Sequence, residues 1–207
     1  TPVVDTRSLN SSADWTDFYG DAAEELPPQM PEPKGKAVTT SCFVDANHAG
    51  NVVTRRSHTG ILIYVQNAPI IWYSKRQNTV ESSTFGSEYV AAKTAVEMIE
   101  GLRYKLRMMG IPVEGATNFF CDNESVVTST TCPESTLKKK HNAIAYHRVR
   151  EAIAARVLRF AYLKSEENVS DILTKPLCNE KFHYLARSGY FALHRFIRKL
   201  NLVISRI

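Results

Sequence analysis

Glu88-Tyr89-Val90-Ala91-Ala92-Lys93-Thr94-Ala95-Val96-Glu97-Met98-Ile99-Glu100-Gly101-Leu102-Arg103-Tyr104-Lys105-Leu106-Arg107-Met108-Met109 reads as one amphipathic helix. Ala92, Ala95, Ile99, Leu102, Leu106 and Met109 recur at alternating steps of three and four, the spacing of a core-facing helical stripe. Gly110 and Pro112 end the run. Counting back one turn from Ala92 lands on Glu88, so this carboxylate falls on the buried stripe and away from solvent. An acid placed there requires a cation or a hydrogen-bond donor, because an unpaired buried charge is costly.

Upstream of this helix the period changes. Cys42 to Ala46, Gly60 to Val65 and Ile70 to Tyr73 are short apolar runs, the last two separated by Gln66-Asn67-Ala68-Pro69 as a turn, which predicts three antiparallel strands. Downstream, Thr117 to Cys121 predicts a strand that runs into Asp122. A short helix follows, then a basic linker at Lys138, a helix from about Ala143 to Ala155, a strand over Val157 to Leu163, and a short helix ending at Pro176. Three strands, helix, strand, two helices, strand and helix is an α/β order with a mixed sheet.

The 207 residues suffice for one well-buried core, and no internal repeat is visible. Residues 1–36 carry Trp15, Phe18 and Tyr19, an acidic stretch and the run Pro27-Pro28-Gln29-Met30-Pro31-Glu32-Pro33, which cannot continue a helix or a central strand. They are expected to be a tether from a preceding region, with the folded domain at 37–178 and an apolar, basic extension at 179–207 that carries no motif. The opening at Thr1 suggests a piece of a longer protein. The net charge of +5 favours a polyanionic partner, and Arg55-Arg56, Lys75-Arg76, the 103–107 stretch and Lys138-Lys139-Lys140 concentrate it. Cys42, Cys121, Cys132 and Cys178 have no zinc-finger spacing and fit reduced, intracellular thiols. Neither a leader nor an apolar run of about 18 residues is present, so no membrane association is expected.

Four acids stand at the ends of predicted elements: Asp45 ends the first strand, Glu88 lies on the helical stripe, Asp122 tips the fourth strand, and Asp171 sits in the last short helix. Rigid supports of this kind hold oxygen ligands in place. Oxygen donors around two divalent cations about 4 Å apart are what phosphodiester cleavage requires.

The residues around these acids carry a resemblance. Phe43-Val44-Asp45-Ala46-Asn47-His48-Ala49-Gly50 resembles the first-acid motif of copia-type retrotransposon ribonuclease H domains, and Thr54-Arg55-Arg56-Ser57-His58-Thr59-Gly60 its following turn. Ile71 to Val80 and Ser82-Ser83-Thr84-Phe85-Gly86-Ser87-Glu88-Tyr89-Val90-Ala91 continue it through the second acid. Cys121-Asp122-Asn123 resembles the third, His141 with Tyr146-His147-Arg148-Val149-Arg150-Glu151 the usual helix, and Asp171-Ile172-Leu173-Thr174-Lys175-Pro176-Leu177 the fourth. The likeness spans about residues 41–177 in the family's order. It implies a ribonuclease H-like fold, with a mixed five-stranded sheet of three antiparallel strands then two parallel ones, flanked by helices. It also implies an endonuclease that cuts the RNA strand of RNA/DNA hybrids by a two-metal mechanism, with Mg2+ or Mn2+, two ions per site, held by Asp45, Glu88, Asp122 and Asp171. The reverse-transcriptase region of the same polyprotein would be a partner, in a cytoplasmic virus-like particle or the nucleus. Two departures stand out. The family often has a second aspartate and a tryptophan where this chain has Asn47 and His48, and its commoner Thr-Glu-Ala-Glu-Tyr run is Thr84-Phe85-Gly86-Ser87-Glu88-Tyr89 here, without the outer glutamate.

Each acid also has a plainer reading. Asp122 can cap the helix after its strand, and Asp171, three residues after Asn168, can be a capping-box acid. His141 and His147 are six positions apart, about 600° around a helix, and so do not share one metal face. His141 is a candidate to protonate a leaving group or move product, whereas His147 lies beside Arg150 and Glu151. Arg55, Arg56, Lys75 and Arg76 are candidates to hold the hybrid's phosphates. Trp72 and Tyr73 can stack on nucleic acid, or one ring can pack inward. The rival functions are a hybrid-binding domain that has lost cleavage and a DNA-cutting, integrase-like relative.

Overall fold

The strand that carries the first acid, β1 (Thr40–Asn47), is buried from Thr40 to Ala46. Such burial on both faces belongs to a strand in the middle of a covered sheet. In the computed structural model, which describes residues 13–137 and 140–191, β1 is indeed the middle of a five-stranded sheet of order β3-β2-β1-β4-β5. β2 (His58–Val65) and β3 (Ala68–Arg76) add antiparallel on one side. β4 (Thr117–Cys121) and β5 (Leu158–Tyr162) add parallel on the other. The mixed sheet implied by the resemblance is therefore present, strand for strand.

Alternation along β1 divides two cores. Cys42, Val44 and Ala46 pack with Ile61, Ile63, Phe119 and Phe160 against the long helix α2 (Thr84–Met108) and the helix α4 (Ala143–Ala154). Phe43 points the other way, stacked on Phe120 with ring centroids 4.9 Å apart, in a smaller core with Tyr64, Val169 and Leu185. Two 3-10 turns (Ser165–Glu167 and Val169–Leu173) and the helix α5 (Asn179–Phe191) cover that second face.

Differences from the expected elements have local causes. The β2–β3 turn is only Gln66-Asn67, because Val65 pairs with Ala68 and Tyr64 with Pro69. Pro69 is tolerated since β3 is an edge strand, and an irregularity in register between Ile63 and Tyr64 absorbs the mismatch. On β3, Tyr73 packs toward the first core while Trp72 is 70% exposed. The stripe of α2 ends at Leu106: the helix stops at Met108, so Met109 becomes its cap and is exposed. Ser83, not an acid, caps the other end by accepting from the Gly86 amide.

Residues 13–36, expected to be a tether, are laid along α2 and α4. After the short helix α1 (Thr16–Tyr19), Glu24 accepts from Arg103 Nε at 2.6 Å and from Arg107 Nη1 at 2.6 Å. Tyr19 Oη lies 2.6 Å from His147 Nδ1. The Arg150 guanidinium sits 4.9 Å from the Trp15 ring centroid and 4.8 Å from that of Tyr146. Buried Arg103 is thereby paired, whereas buried Arg150 also donates to the carbonyls of Ser129, Cys132 and Pro133. Lys138, Lys139 and most of the expected 179–207 extension lie outside the described residues. Among the described residues no helix is long and apolar enough to cross a membrane.

Gly60 on β2 is the point of closest approach between the sheet and the turn that carries Asp171. A Cβ there would lie 2.5 Å from Thr174 Cγ2 and 2.8 Å from the Ser170 carbonyl oxygen. Gly60→Ala must therefore push this segment off the sheet, and we expect it to cost about 1–3 kcal/mol, the usual penalty of overpacking. Thermal denaturation checks this, and an unchanged melting midpoint would refute the contact.

Candidate active site

Register brings the first and third acids together. Val44 of β1 pairs with Cys121 of the parallel strand β4, so the next residues, Asp45 and Asp122, emerge side by side at the same sheet end. Glu88 reaches them from the first turns of α2, where the Ala46 amide donates to its Oε1 at 3.3 Å. The predicted stripe thus delivers its acid, 3% exposed, against the end of β1.

Asp171 is brought in from the second face. Asn168, fully buried, donates through Nδ2 to the Val44 carbonyl at 2.9 Å and accepts from the Ser170 amide at 3.2 Å, which fixes the 3-10 turn to β1. The Ser74 hydroxyl donates to the Leu173 carbonyl at 2.7 Å. Asn47 Nδ2 donates to the Thr174 carbonyl at 3.3 Å. An aspartate at position 47 has no proton to give that carbonyl, so the departure from the family pattern has a local role. The outer glutamate of that run falls at Gly86, where a Cβ would lie 2.7 Å from Glu81 Oε2 and 2.8 Å from Asn142 Nδ2, so the position is closely packed without a side chain.

The result is two overlapping clusters. One oxygen from each of Asp45, Asp122 and Asp171 lies within 4.8 Å of the others, and the same holds for Glu88, Cys121 Sγ and Asp122. Asp45 also accepts from the Thr174 hydroxyl. Lys175 Nζ is 2.7 Å from Asp171 Oδ1 and 3.7 Å from Asp45 Oδ2, and Lys181 Nζ is 2.8 Å from Asp171 Oδ2. The capping readings do not describe these side chains. Asn123 caps α3 (Glu124–Thr131) by accepting from the Val126 amide, and the Asp171 carboxylate faces two ammonium groups.

Burial and like charge dominate the electrostatics. Burial, opposed by the Thr174 hydroxyl and the Lys175 ammonium and reinforced by Asp122 and Asp171, pushes the Asp45 carboxyl up to about 6. Burial and then the charges of Asp45 and Asp122 hold Glu88 well above the usual carboxylate range. Burial raises Asp122 as well. The Cys121 thiol, fully buried and beside Glu88, is raised too, so it stays a neutral donor, 3.9 Å from Glu88 Oε2.

His141 stands apart from both clusters. It begins α4 in a 3-10 turn (Lys140–Asn142), half exposed, with Nε2 3.8 Å from Glu81 Oε2. Among the basic candidates, Lys75 pairs across the sheet with Thr59 and Arg76 with His58, whose own partners on β1 are Ala46 and Asn47. Arg55 and Arg56 lie in the β1–β2 connection at that same end. All four therefore surround the sheet end that carries the acids. Sequence reasoning missed Asn168, Thr174, Lys175 and Lys181. Thr174 and Lys175 lay inside the quoted fourth-acid motif one turn after Asp171, which was the available signal, whereas Lys181 had none.

No protein-family model matches the chain. It is 33% identical over 141 residues to the retrovirus-related Pol polyprotein from transposon TNT 1-94 of Nicotiana tabacum, covering 68% of this chain and 10% of that protein. With the corresponding polyprotein from transposon RE2 of Arabidopsis thaliana it shares 27% over 154 residues, 74% of this chain and 11% of that one. Among solved structures, LC11-RNase H1 in complex with RNA/DNA hybrid superposes with a TM-score of 0.52 at 18% identity, over 66% of this chain and 94% of that one. The chain is a ribonuclease H-fold homologue of retrotransposon Pol polyproteins. This ribonuclease H-like chain spans about a tenth of the length of the curated relatives it matches.

The raised Asp45 carboxyl has a consequence for stability. Its proton is held more tightly in the folded than in the unfolded chain, so its contribution is fully present below about pH 4 and is lost as pH rises through about 6. In metal-free buffer, Asp45→Asn should remove that loss and raise the melting midpoint at pH 7.5 by several degrees, for an effect on the order of 1–3 kcal/mol. Melting curves of both proteins from pH 4 to 8 check it: parallel profiles would contradict the assignment.

Proposed function

We propose that this chain is the ribonuclease H domain of a copia-type Pol polyprotein and hydrolyses the RNA strand of RNA/DNA hybrids. The observation that carries the reading is the convergence of Asp45, Asp122 and Asp171, with Glu88 joined through Asp122, at one sheet end of a ribonuclease H-like fold.

The donor set suits hard divalent cations. Four acids crowd one place, three of them with carboxyls raised by burial and mutual repulsion, which is the signature of a site short of positive charge. Apart from Cys121 Sγ the clustered donors are carboxylate oxygens, the preference of Mg2+ and Mn2+. Asp45, Glu88, Asp122 and Asp171 would hold two such ions, whose chemistry when bound is activation of water and stabilisation of the leaving oxygen. The carboxylates act as ligands and charge neutralisers and do not attack. In the reaction a water oxygen bonds to phosphorus and the bond from phosphorus to the ribose O3′ breaks, leaving a 3′-hydroxyl and a 5′-phosphate.

Arg55, Arg56, Lys75 and Arg76 would hold the phosphates of the hybrid, reading backbone shape and 2′-hydroxyls more than base sequence. His141, half exposed at the start of α4, would protonate the departing oxygen or assist product release. The domain at 37–178 would be joined through residues 1–36, of which 13–36 lie docked on α2 and α4, to a reverse-transcriptase region of the same polyprotein. Such a protein would work inside the cell, in a virus-like particle or the nucleus.

Cleavage of a labelled RNA/DNA hybrid in Mg2+, beside single-stranded RNA and duplex DNA, tests the reading. The wild type should cut the hybrid alone. Asp45→Asn, Glu88→Gln, Asp122→Asn and Asp171→Asn should each lose at least about 100-fold, since even supporting residues around a metal commonly cost 10–100-fold. His141→Ala should lose about 100-fold and keep its hybrid affinity. Hybrid binding without cutting would move the function to a binding-only domain, and preference for duplex DNA to an integrase-like one.

A further inference from the structure

Asp171 is the one acid of the four whose two oxygens each meet an ammonium group. Lys175 approaches Oδ1 at 2.7 Å and Lys181 approaches Oδ2 at 2.8 Å. The two lysines come from different elements. Lys175 lies one turn after Asp171, just past the 3-10 turn, and Lys181 lies on α5, which packs on that turn. Lys175 also stands 3.7 Å from Asp45 Oδ2. Asp171 itself is wholly buried, whereas both lysine side chains are about one-third exposed, at 32% and 31%. The ammonium groups are therefore at the rim, on flexible stems that can swing into water, and the carboxylate they hold is not.

We propose that Lys175 and Lys181 are resident counter-ions of Asp171 that hold it in place without metal and compete with the divalent cation that uses it. This rests on the metal-binding reading above. A buried carboxylate with no partner is costly, so something must neutralise Asp171 when cations are absent. Two ammonium groups at hydrogen-bonding distance do so. A cation that takes an oxygen of Asp171 must displace at least one lysine from it. Asp45, Glu88 and Asp122 carry a lighter burden of this kind, because among the described residues Lys175 alone pairs with one of them, at 3.7 Å from Asp45. The two cation sites are consequently unequal: one fills readily, and the one that includes Asp171 fills late, at a concentration set by the lysines.

The test is calorimetric titration of the whole chain with Mn2+, paired with melting curves in a chelator. The wild type should show two separated binding steps. Lys181→Met and Lys175→Met should each tighten the weaker step by about tenfold and leave the stronger one within about twofold. In chelator the same variants should melt several degrees lower, since the anion they served is left buried. Lys181→Arg should restore both properties. The opposed directions, tighter metal and weaker metal-free fold, distinguish counter-ion competition from a structural role, which would weaken both. Because Lys175 touches two acids and its loss can prevent folding, Lys181→Met is the decisive variant. Unchanged affinity for the weaker step in a folded Lys181→Met protein would overturn the proposal while leaving the metal site intact. If the wild type took up no Mn2+ at millimolar concentration, the metal-binding reading and the proposal would fall together.

Discussion

Four carboxylates at one end of a sheet repel each other, and the rest of the structure is arranged to hold them there in spite of it. Each is carried on an element that packing has already fixed: β1 and β4 are parallel neighbours in the middle of the sheet, α2 buries its stripe across it, and the 3-10 turn of Asp171 is tied to β1 through Asn168. The repulsion shows directly in the raised carboxyls of Asp45, Glu88 and Asp122. A fold that places like charges together within a buried site spends stability on it, which is common where a site is built for function.

The way that cost is distributed is informative. Hydrogen bonds from the Ala46 amide and the Thr174 hydroxyl satisfy one oxygen each on Glu88 and Asp45, but neither brings a charge. Among the described residues, positive charge enters from the side of Asp171, through Lys175 and Lys181. The cluster is therefore graded, neutralised on one side and short of charge on the other. The shortage lies toward Glu88 and Asp122, away from the two lysines.

How much of this was legible in the sequence depends on whether a residue's role is local. Glu88 could be placed on a buried face because a helix repeats every 3.6 residues and the apolar residues after it set the phase. Asp45 and Asp122 could be placed at strand ends because apolar runs stop at them, and the register Val44 with Cys121 then makes them neighbours. Apolar patterning also marked the succession of strands along the chain, although not the two-residue β2–β3 turn, where the pairing of Val65 with Ala68 shortened the loop. Partners distant in sequence left no such trace. Arg103 is buried on α2 only because Glu24 reaches it, and no pattern in α2 announces that. Asn168 could be read as the cap three residues before Asp171, but its other bond, to Val44, exists only once the chain has folded back. Lys181 sat in a segment without a motif.

The close fit of Gly60 joins these threads. It lies directly across from Asp45 in the β1–β2 register, and it is there that Ser170 and Thr174 press on the sheet. Any side chain would hold the turn away, and Thr174 would then lose its hydroxyl contact with Asp45 while Lys175 lost its reach toward the same carboxylate. The absence of a side chain at one position on β2 thus lets the element carrying the fourth acid touch the first. Position 60 is a backbone requirement, invisible to charge or hydropathy, on which the electrostatics of the cluster depend. A glycine inside a strand pattern signals a close backbone approach, and here the element that approaches carries Asp171 together with Lys175.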